Sequence, residues 1–384
     1  MKFLICANYL PHVLNFRGKL LEAIAKLGYE VHVLAPDPKA HTEDYNTLVN
    51  SGYFIHSIPM QRTGTNPIAD IKTLMVTYRL LRKIKPDYIL SYTIKPIIYG
   101  TLAAWLAKVP KRFILFSGLG YTFQEIEDTN QRSVFQTLIY SLHQQALAKS
   151  SKVFFQNPDD LNLFKKLNLL KSTTPTVIVN GSGVDVADFN VLPFPHDDSG
   201  NIKTSFLLIA RLLKDKGIVE YVEAAKIIKE QHPAAEFHLV GYIDENPAAI
   251  SQSQLDEWVA NDIVNYWGKL NDVRPAIAAS SIYVLPSYRE GTSRSVLEAM
   301  AMGRPVITTD APGCRETVTE GHNGYLVPVK AVNELAAAME KFIVNPELIA
   351  IMGQESRKLT EEIYDVHKVN EIMIKEMGLV NKMA

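Results

Sequence analysis

Cysteine is nearly absent from this chain of 384 residues, which carries only Cys6 and Cys314. Two thiols build no disulfide framework, which excludes the small stapled scaffolds and fits a reducing compartment. Long apolar runs are missing too. The longest, Pro96 to Ala107 (PIIYGTLAAWLA), falls short of the ~20 residues needed to cross a bilayer. The opening MKFLICANYLPHVLNFRGKL resembles an export signal only superficially. Its apolar run, Phe3 to Ala7, meets Asn8 and a Pro11-His12 turn, with no small-residue cleavage pattern. There is no Asp-x-Asp triplet for a carboxylate-held divalent ion and no Gly-Lys-Ser/Thr phosphate loop, and the His and Cys residues lack metal-ligand spacing. These absences lead to the expectation of a cytoplasmic, non-spanning protein with no metal or cofactor of its own.

What is present is apolar content of 47% in a chain long enough for two domains with large cores. The formal net charge of −1 hides an asymmetry. Residues 1–180 hold 21 Lys and Arg against 12 Asp and Glu, a balance of +9, whereas the remainder holds 19 against 29, a balance of −10. A basic N-terminal half favours anionic partners such as phosphates or a lipid surface, set against the plainer reading of uneven charge over two domains.

Short apolar runs rich in β-formers alternate with helical patterns. The first series holds Phe3–Ala7, an amphipathic stretch from Arg17 to Leu27, Glu30–Ala35, Tyr53–Ile58, Asp87–Ser91, Arg112–Phe116 and Lys152–Gln156. Around Asn190–Lys203 (NVLPFPHDDSGNIK) the pattern lapses into what reads as a linker. A second series follows, with strands Ser205–Ala210, Glu236–Val240, Val264–Trp267, Ile282–Leu285 and Pro305–Thr308. Its helices are Gly217–Gln231 and Arg294–Met302, and the chain finishes in helices from about Val332 to Glu376. Strands apolar throughout, separated by helices, predict parallel sheets covered on both faces. The expected fold class is α/β, two Rossmann-like doubly wound domains facing across a cleft. The expected domains are 1–190, 204–360 and a C-terminal helix, 361–384, packing back towards the first. In such sheets ligands sit beyond the carboxyl ends of the strands.

The sharpest segment is LPSYREGTSRSVLEAMAMGRPVI, 285–307. A strand ends at Pro286, and a polar loop with Gly291 leads into a helix beginning near Ser293 or Arg294. Thr292 or Ser293 can cap that helix, whose amides and macrodipole favour an anionic or hydroxyl-rich ligand. Glu290 lies in the loop, and Glu298 just over two turns later. Carboxylates hydrogen-bond strongly to sugar hydroxyls. Arg211 and Lys216 flank another strand-to-helix turn, so both cations can reach one site.

Glu290-x7-Glu298 followed by AMAMGRPVI resembles the Glu-x7-Glu signature of family-four retaining glycosyltransferases, which have the GT-B fold. Ala210-Arg211-Leu212 with Lys216-Gly217, Val240-Gly241, Trp267-Gly268 and NGSGVD (180–185) also match in order over most of the chain. The resemblance implies a retaining, metal-independent transfer from a UDP-sugar. It assigns Arg211 and Lys216 to the diphosphate and Glu298 to the ribose. Glu290, with Gly291, Thr292 and Ser293, goes to the hexose, and Arg294 and Gly241 complete the donor site. KPIIYG (95–100) with SGLGY (117–121) is similar to the branch that builds capsules, O-antigens and protein glycans on polyprenyl-diphosphate-linked sugars, often with N-acetylated UDP-sugars such as UDP-GalNAc. The expected acceptor residues are Lys95, Gly118, Gly120 and Tyr121 on that likeness, and His12, Asn15 and Arg17 by their place after the first strand, in a loop that differs from the commoner Gly-Gly form of relatives. Lys95 stands in a loop where many relatives carry a His. Arg17 and Gly18 are expected to open a helix towards a phosphate.

A lipid-linked saccharide acceptor implies a peripheral enzyme on the cytoplasmic face of the inner membrane, with nucleic acid not among its partners. Arg79, Arg82, Lys83, Lys85, Lys108, Lys111 and Arg112 are available to anionic headgroups. The helix Val134–Ala148 is available either to lipid or to an ordinary core. Two other functions stay open on sequence alone: a UDP-sugar epimerase, and a catalytically silent sugar-nucleotide-binding protein.

Overall fold

The computed structural model describes residues 1–61, 66–119, 134–244 and 246–381. Its contacts divide into two compact units, Met1–Ser182 with His367–Ala384, and Gly183–Val366.

The first unit is a seven-stranded sheet. Its strands are β1 (Lys2–Cys6), β2 (Glu30–Ala35), β3 (Phe54–Ser57), β4 (Tyr88–Tyr92), β5 (Lys111–Phe116), β6 (Lys152–Phe155) and β7 (Thr176–Ile178). They run parallel in the order β3-β2-β1-β4-β5-β6-β7. Runs such as FLIC and VHVLA can be apolar on both sides because helices cover both faces. The helix Leu10–Lys26 buries Val13, Leu20, Leu21 and Ile24 at helical spacing. Met373 and Met377, from the helix Val366–Met377, join the same core as Phe3, Leu21 and Phe154. Lys152 Nζ lies 2.7 Å from Glu376 Oε2.

The second unit repeats the plan with β8 (Ser205–Ile209), β9 (Glu236–Val240), β10 (Asn265–Tyr266), β11 (Ile282–Leu285), β12 (Val306–Thr309) and β13 (Gly324–Val327). All pairs are parallel, in the order β10-β9-β8-β11-β12-β13. In both sheets the strand order reverses direction next to the first strand, at β1/β4 and at β8/β11. That reversal opens a crevice at the carboxyl ends of those strands.

Three expectations need correction. The first helix opens at Leu10, not near Arg17, because a proline in the first turn has no amide the helix needs. The turn expected at Pro11-His12 is that first helical turn, and Arg17 and Gly18 are mid-helix. The first unit ends at Ser182, eight residues before the expected 190, and it regains the chain at His367 instead of 361. The stretch 190–203 belongs to the second unit. Arg304, 1% exposed, donates to the carbonyls of Leu192 (2.8 Å) and Pro193 (3.2 Å), and its guanidinium stacks 4.7 Å from the Phe194 ring centroid. Burial pushes the Arg304 pKa down to about 10. The edge strands β7 and β13 went unread, and β13 opens on a glycine.

Candidate active site

The β8/β11 reversal positions the charged residues of the second unit. After β8 the chain passes Arg211 and makes a short 3₁₀ turn, Lys214–Lys216, into the helix Ile218–Gln231. Gly217 joins them with φ +71°, and a Cβ there would lie 2.2 Å from the Pro286 carbonyl oxygen, so only glycine lets the turn press against the loop after β11. Two further bonds lock the loops together. Tyr288 N donates to Asp215 O at 2.9 Å, and Ser287 Oγ donates to the same oxygen at 3.2 Å. The Tyr288 hydroxyl donates to Glu220 Oε1 at 2.5 Å, and burial with that carboxylate beside it raises the phenol pKa.

This stitching brings Lys216 to Glu290. Nζ and Oε1 are 2.6 Å apart, with both side chains about 15% exposed. Glu290 is held from behind by the loop after β12, where its amide donates to Pro312 O at 2.9 Å. Gly313 (φ +76°) lies so close that a Cβ would sit 2.0 Å from the Glu290 carbonyl oxygen. The adjacent Cys314 thiol is buried, and its pKa is pushed up to about 12.

The helix Arg294–Ala301 begins beside this loop. Ser293 occupies the cap position but makes no capping bond, contrary to the expectation. Its Oγ lies 3.1 Å from Ser295 Oγ, and Thr292 Oγ1 donates to Gly291 O. Ser295 replaces the cap as an anchor, donating to Ile209 O at 3.0 Å while accepting from Tyr283 Oη at 2.6 Å. A buried tyrosine hydroxyl needs a partner, and this one ties the helix start to the end of β8. Glu298 is 8% exposed and accepts from Arg294 Nε at 2.7 Å. Burial raises its pKa despite that arginine. Arg211 is more open and donates to Asp244 Oδ2 at 2.9 Å. Gly241 directly follows β9, where a Cβ would meet Ala210 O at 1.9 Å, so the chain leaves β8 and β9 in close contact. Asp215, Glu220, Tyr283, Asp244, Ser295 and Gly313 went unread in the sequence. The one signal for any of them was a tyrosine inside an apolar strand.

In the first unit the β1/β4 reversal gathers a second group. Arg17 is buried at 2% exposure, 5.9 Å from the Tyr92 ring centroid at the end of β4. His12 packs edge-on to Tyr9 (4.8 Å) and Phe16 (5.4 Å), and Asn15 is exposed. Lys95 Nζ lies 2.8 Å from Asp70 Oδ1, and the Tyr99 hydroxyl donates to Asp70 Oδ2 at 3.0 Å. Gly118, φ +113°, follows β5. Gly120 and Tyr121 lie outside the described residues. Arg112 is spent on the carbonyls of Lys149 and Val109, which removes it from the headgroup set. Among the described residues no group of three or more His, Cys, Asp or Glu could hold a metal ion, and no helix is long and apolar enough to cross a membrane.

Two family models match the chain: glycosyl transferases group 1 over residues 203–345 and glycosyl transferase 4-like over 4–157. The N,N'-diacetylbacillosaminyl-diphospho-undecaprenol alpha-1,3-N-acetylgalactosaminyltransferase of Campylobacter jejuni is 27% identical, covering 88% of each chain. The UDP-Gal:alpha-D-GlcNAc-diphosphoundecaprenol alpha-1,3-galactosyltransferase of Escherichia coli is also 27% identical, over 82% of this chain and 81% of its own. Among solved structures, sucrose-phosphate synthase from Thermosynechococcus elongatus matches with a TM-score of 0.78 at 17% identity, over 98% of both chains. Anabaena HepE in complex with UDP matches at 0.74 and 17%, over 98% of this chain and all of its own.

Proposed function

The chain belongs to the group 1 and 4-like glycosyl transferases, and from that premise we propose that it moves an N-acetylated hexose from a UDP-sugar to a polyprenyl-diphosphate-linked saccharide. The observation that carries this is the meeting of Lys216 and Glu290 at the β8/β11 crevice, with Arg211 on the same strand end and Glu298 on the helix that starts beside it. Two relatives whose names specify diphospho-undecaprenol acceptors support the substrate class.

In this mechanism Arg211 and Lys216 take the donor diphosphate, and Glu298 takes the ribose hydroxyls. Without donor, Lys216 is satisfied by Glu290. When the diphosphate arrives, the ammonium turns to it, and the released carboxylate accepts hydrogen bonds from the hexose together with the Gly291–Ser293 backbone. Gly241 and Arg294 border the nucleotide. The bond from the anomeric carbon to the phosphate oxygen breaks, and the acceptor hydroxyl bonds to that carbon from the same face. That same-face attack retains the configuration, and the hydroxyl proton passes to the departing diphosphate as UDP leaves. Charge on that diphosphate grows as the bond breaks, so fixed cations stabilise the transition state more than the ground state. Side-chain cations fill the place of a divalent ion.

The acceptor goes to the first unit, where Arg17, His12, Asn15, Lys95, Gly118, Gly120 and Tyr121 are assigned to it. Its isoprenoid anchor sets the work at the cytoplasmic face of a membrane. A donor screen by mass spectrometry, with short polyprenyl-diphosphate-sugar acceptors and UDP-GalNAc and UDP-GlcNAc tried first, tests the proposal. One added sugar on the acceptor is the expected product. Interconversion of the UDP-sugar without acceptor would identify an epimerase. Tight UDP binding with no transfer to any acceptor would identify a silent binding protein.

A further inference from the structure

The helix Pro67–Ile84 in the first unit has an outer face that is exposed among the described residues. Asp70, Thr73, Thr77, Leu81 and Ile84 are buried. On the opposite side Ile68 is 80% exposed, Ile71 63% and Met75 45%, in a row at helical spacing. The same row continues into Arg79, Arg82 and Lys83, all exposed, with Lys72 beside it. At 3.6 residues per turn these seven side chains fit within an arc of about 120°. The helix contains one acid, Asp70, which is buried and paired with Lys95, so the outer face is apolar at one end and purely basic at the other. The short helix Thr101–Leu106, packed on this one, also has exposed Trp105 and Leu106, with Lys149 Nζ 4.4 Å from the indole centroid.

Exposed apolar side chains in contiguous rows mark an interaction surface, and a basic flank without acids selects an anionic partner. We infer that this face docks on an anionic phospholipid bilayer, with Ile68, Ile71 and Met75 entering the acyl boundary and Arg79, Arg82 and Lys83 meeting the headgroups. Its place on the domain gives it a use. The Asp70 contacts to Lys95 and Tyr99 fix the apolar end of the helix to the segment that follows β4, at the mouth of the β1/β4 crevice. A lipid-linked acceptor seated there, as the proposed function requires, lies at the end of the helix whose far side carries Ile68 and Ile71, so docking of that side brings the crevice to the bilayer that holds the isoprenoid chain. Of the two readings open for Val134–Ala148, lipid contact or an ordinary core, the core reading fits its buried side chains. That helix buries Tyr140, Ala146 and Leu147 in a core and exposes Leu138.

Flotation of the full chain tests the inference, with vesicles of phosphatidylglycerol and phosphatidylethanolamine compared against phosphatidylcholine alone. The wild type should float with the anionic vesicles, and salt should weaken binding. The triple variant I68N/I71N/M75N should float with neither, at unchanged melting temperature. R79Q/R82Q should lose about thirtyfold in partitioning to the anionic vesicles, as ~1 kcal/mol per basic residue implies, and nothing on phosphatidylcholine. Transfer to a water-soluble acceptor should be unaltered in both variants, while transfer to acceptor embedded in vesicles falls. Flotation of the triple variant like the wild type would overturn the inference. So would light scattering that finds two wild-type copies and one variant copy, or binding to native membranes that protease treatment abolishes while lipid vesicles capture nothing. If the wild type floats with these dependences yet transfers sugar to no polyprenyl diphosphate, the acceptor assignment falls and the docking surface stands.

Discussion

Lys216 and Glu290 stand 74 residues apart in sequence and 2.6 Å apart in space. The pair exists because Gly217 lets one loop touch Pro286 and Gly313 lets another touch Glu290. A lysine and a glutamate that neutralise each other hold the site in a resting arrangement that an incoming diphosphate must exchange.

The two partners should therefore fail differently. Lys216→Met removes a cation from the diphosphate and should weaken UDP binding as well as turnover. Glu290→Gln should leave UDP binding intact or tighter, because Lys216 is no longer held, while lowering kcat about a hundredfold through lost contacts to the hexose. Calorimetry with UDP beside transfer kinetics separates them. The double variant should be no slower than the slower single one, since both disturb one arrangement. Weaker UDP binding in Glu290→Gln would refute the exchange.

Glu298 provides a test with a pH dependence. Burial raises its pKa above the ordinary glutamate value of 4.5. A carboxyl that holds its proton more tightly folded than unfolded favours the fold below that ordinary value. The contribution is lost as pH rises through the folded pKa. Glu298→Gln, neutral at every pH, should melt higher than the wild type at neutral pH and lose that advantage on acidification. Its affinity for UDP should fall if the carboxylate holds the ribose. Thermal melts across pH, paired with UDP titrations, check both outcomes, and unchanged affinity would remove Glu298 from the donor site.

The alternation of apolar runs made both doubly wound sheets legible, because a strand buried on two faces has no polar side to disguise it. Arg211, Lys216 and Glu290 were legible as charged residues in the loops after such strands, and Glu298 by its spacing from Glu290 along the helix that follows. The contacts that aim them were not. That Lys216 meets Glu290 depends on two glycines approaching carbonyl oxygens from loops far away in sequence, and spacing along the chain carries no such information. Pro11 misled for a local reason. The same residue that ends a helix is harmless in its first turn, so Arg17 was expected at a helix start when it lies buried mid-helix against Tyr92.

Gly313 should be a positioning residue, and a matched control exists. Gly313 and Gly321 both adopt left-handed backbone, at φ +76° and +72°, so alanine costs each about 1 kcal/mol of strain. A Cβ at Gly321 meets nothing within 4 Å, whereas at Gly313 it meets the Glu290 carbonyl. Both alanine variants should lose similar conformational stability from strain, with an added loss for Gly313→Ala. Only Gly313→Ala should lower kcat, with UDP affinity nearly kept. Equal kcat in the two variants would show that Glu290 does not depend on this contact.

Arg304 should matter to stability and not to chemistry. Its guanidinium is buried and donates to carbonyls of Ile277, Ser280, Met302, Leu192 and Pro193, closing the ends of several elements at once. Arg304→Leu leaves those oxygens without their donor, and loss of one partner from a buried charged network costs about 3 kcal/mol or more. Lysine is no substitute, since one ammonium cannot reach the spread of acceptors that the planar fork serves. Denaturant titration of the second unit's unfolding should show both variants shifted to lower midpoint, leucine the further. Their kcat/KM, measured well below the melting temperature, should stay within about twofold of the wild type, because every group Arg304 contacts lies at the amino-terminal side of β11 and β12 or in the 190–194 strap. A large fall in kcat/KM at full foldedness would mean that the strap reaches the site.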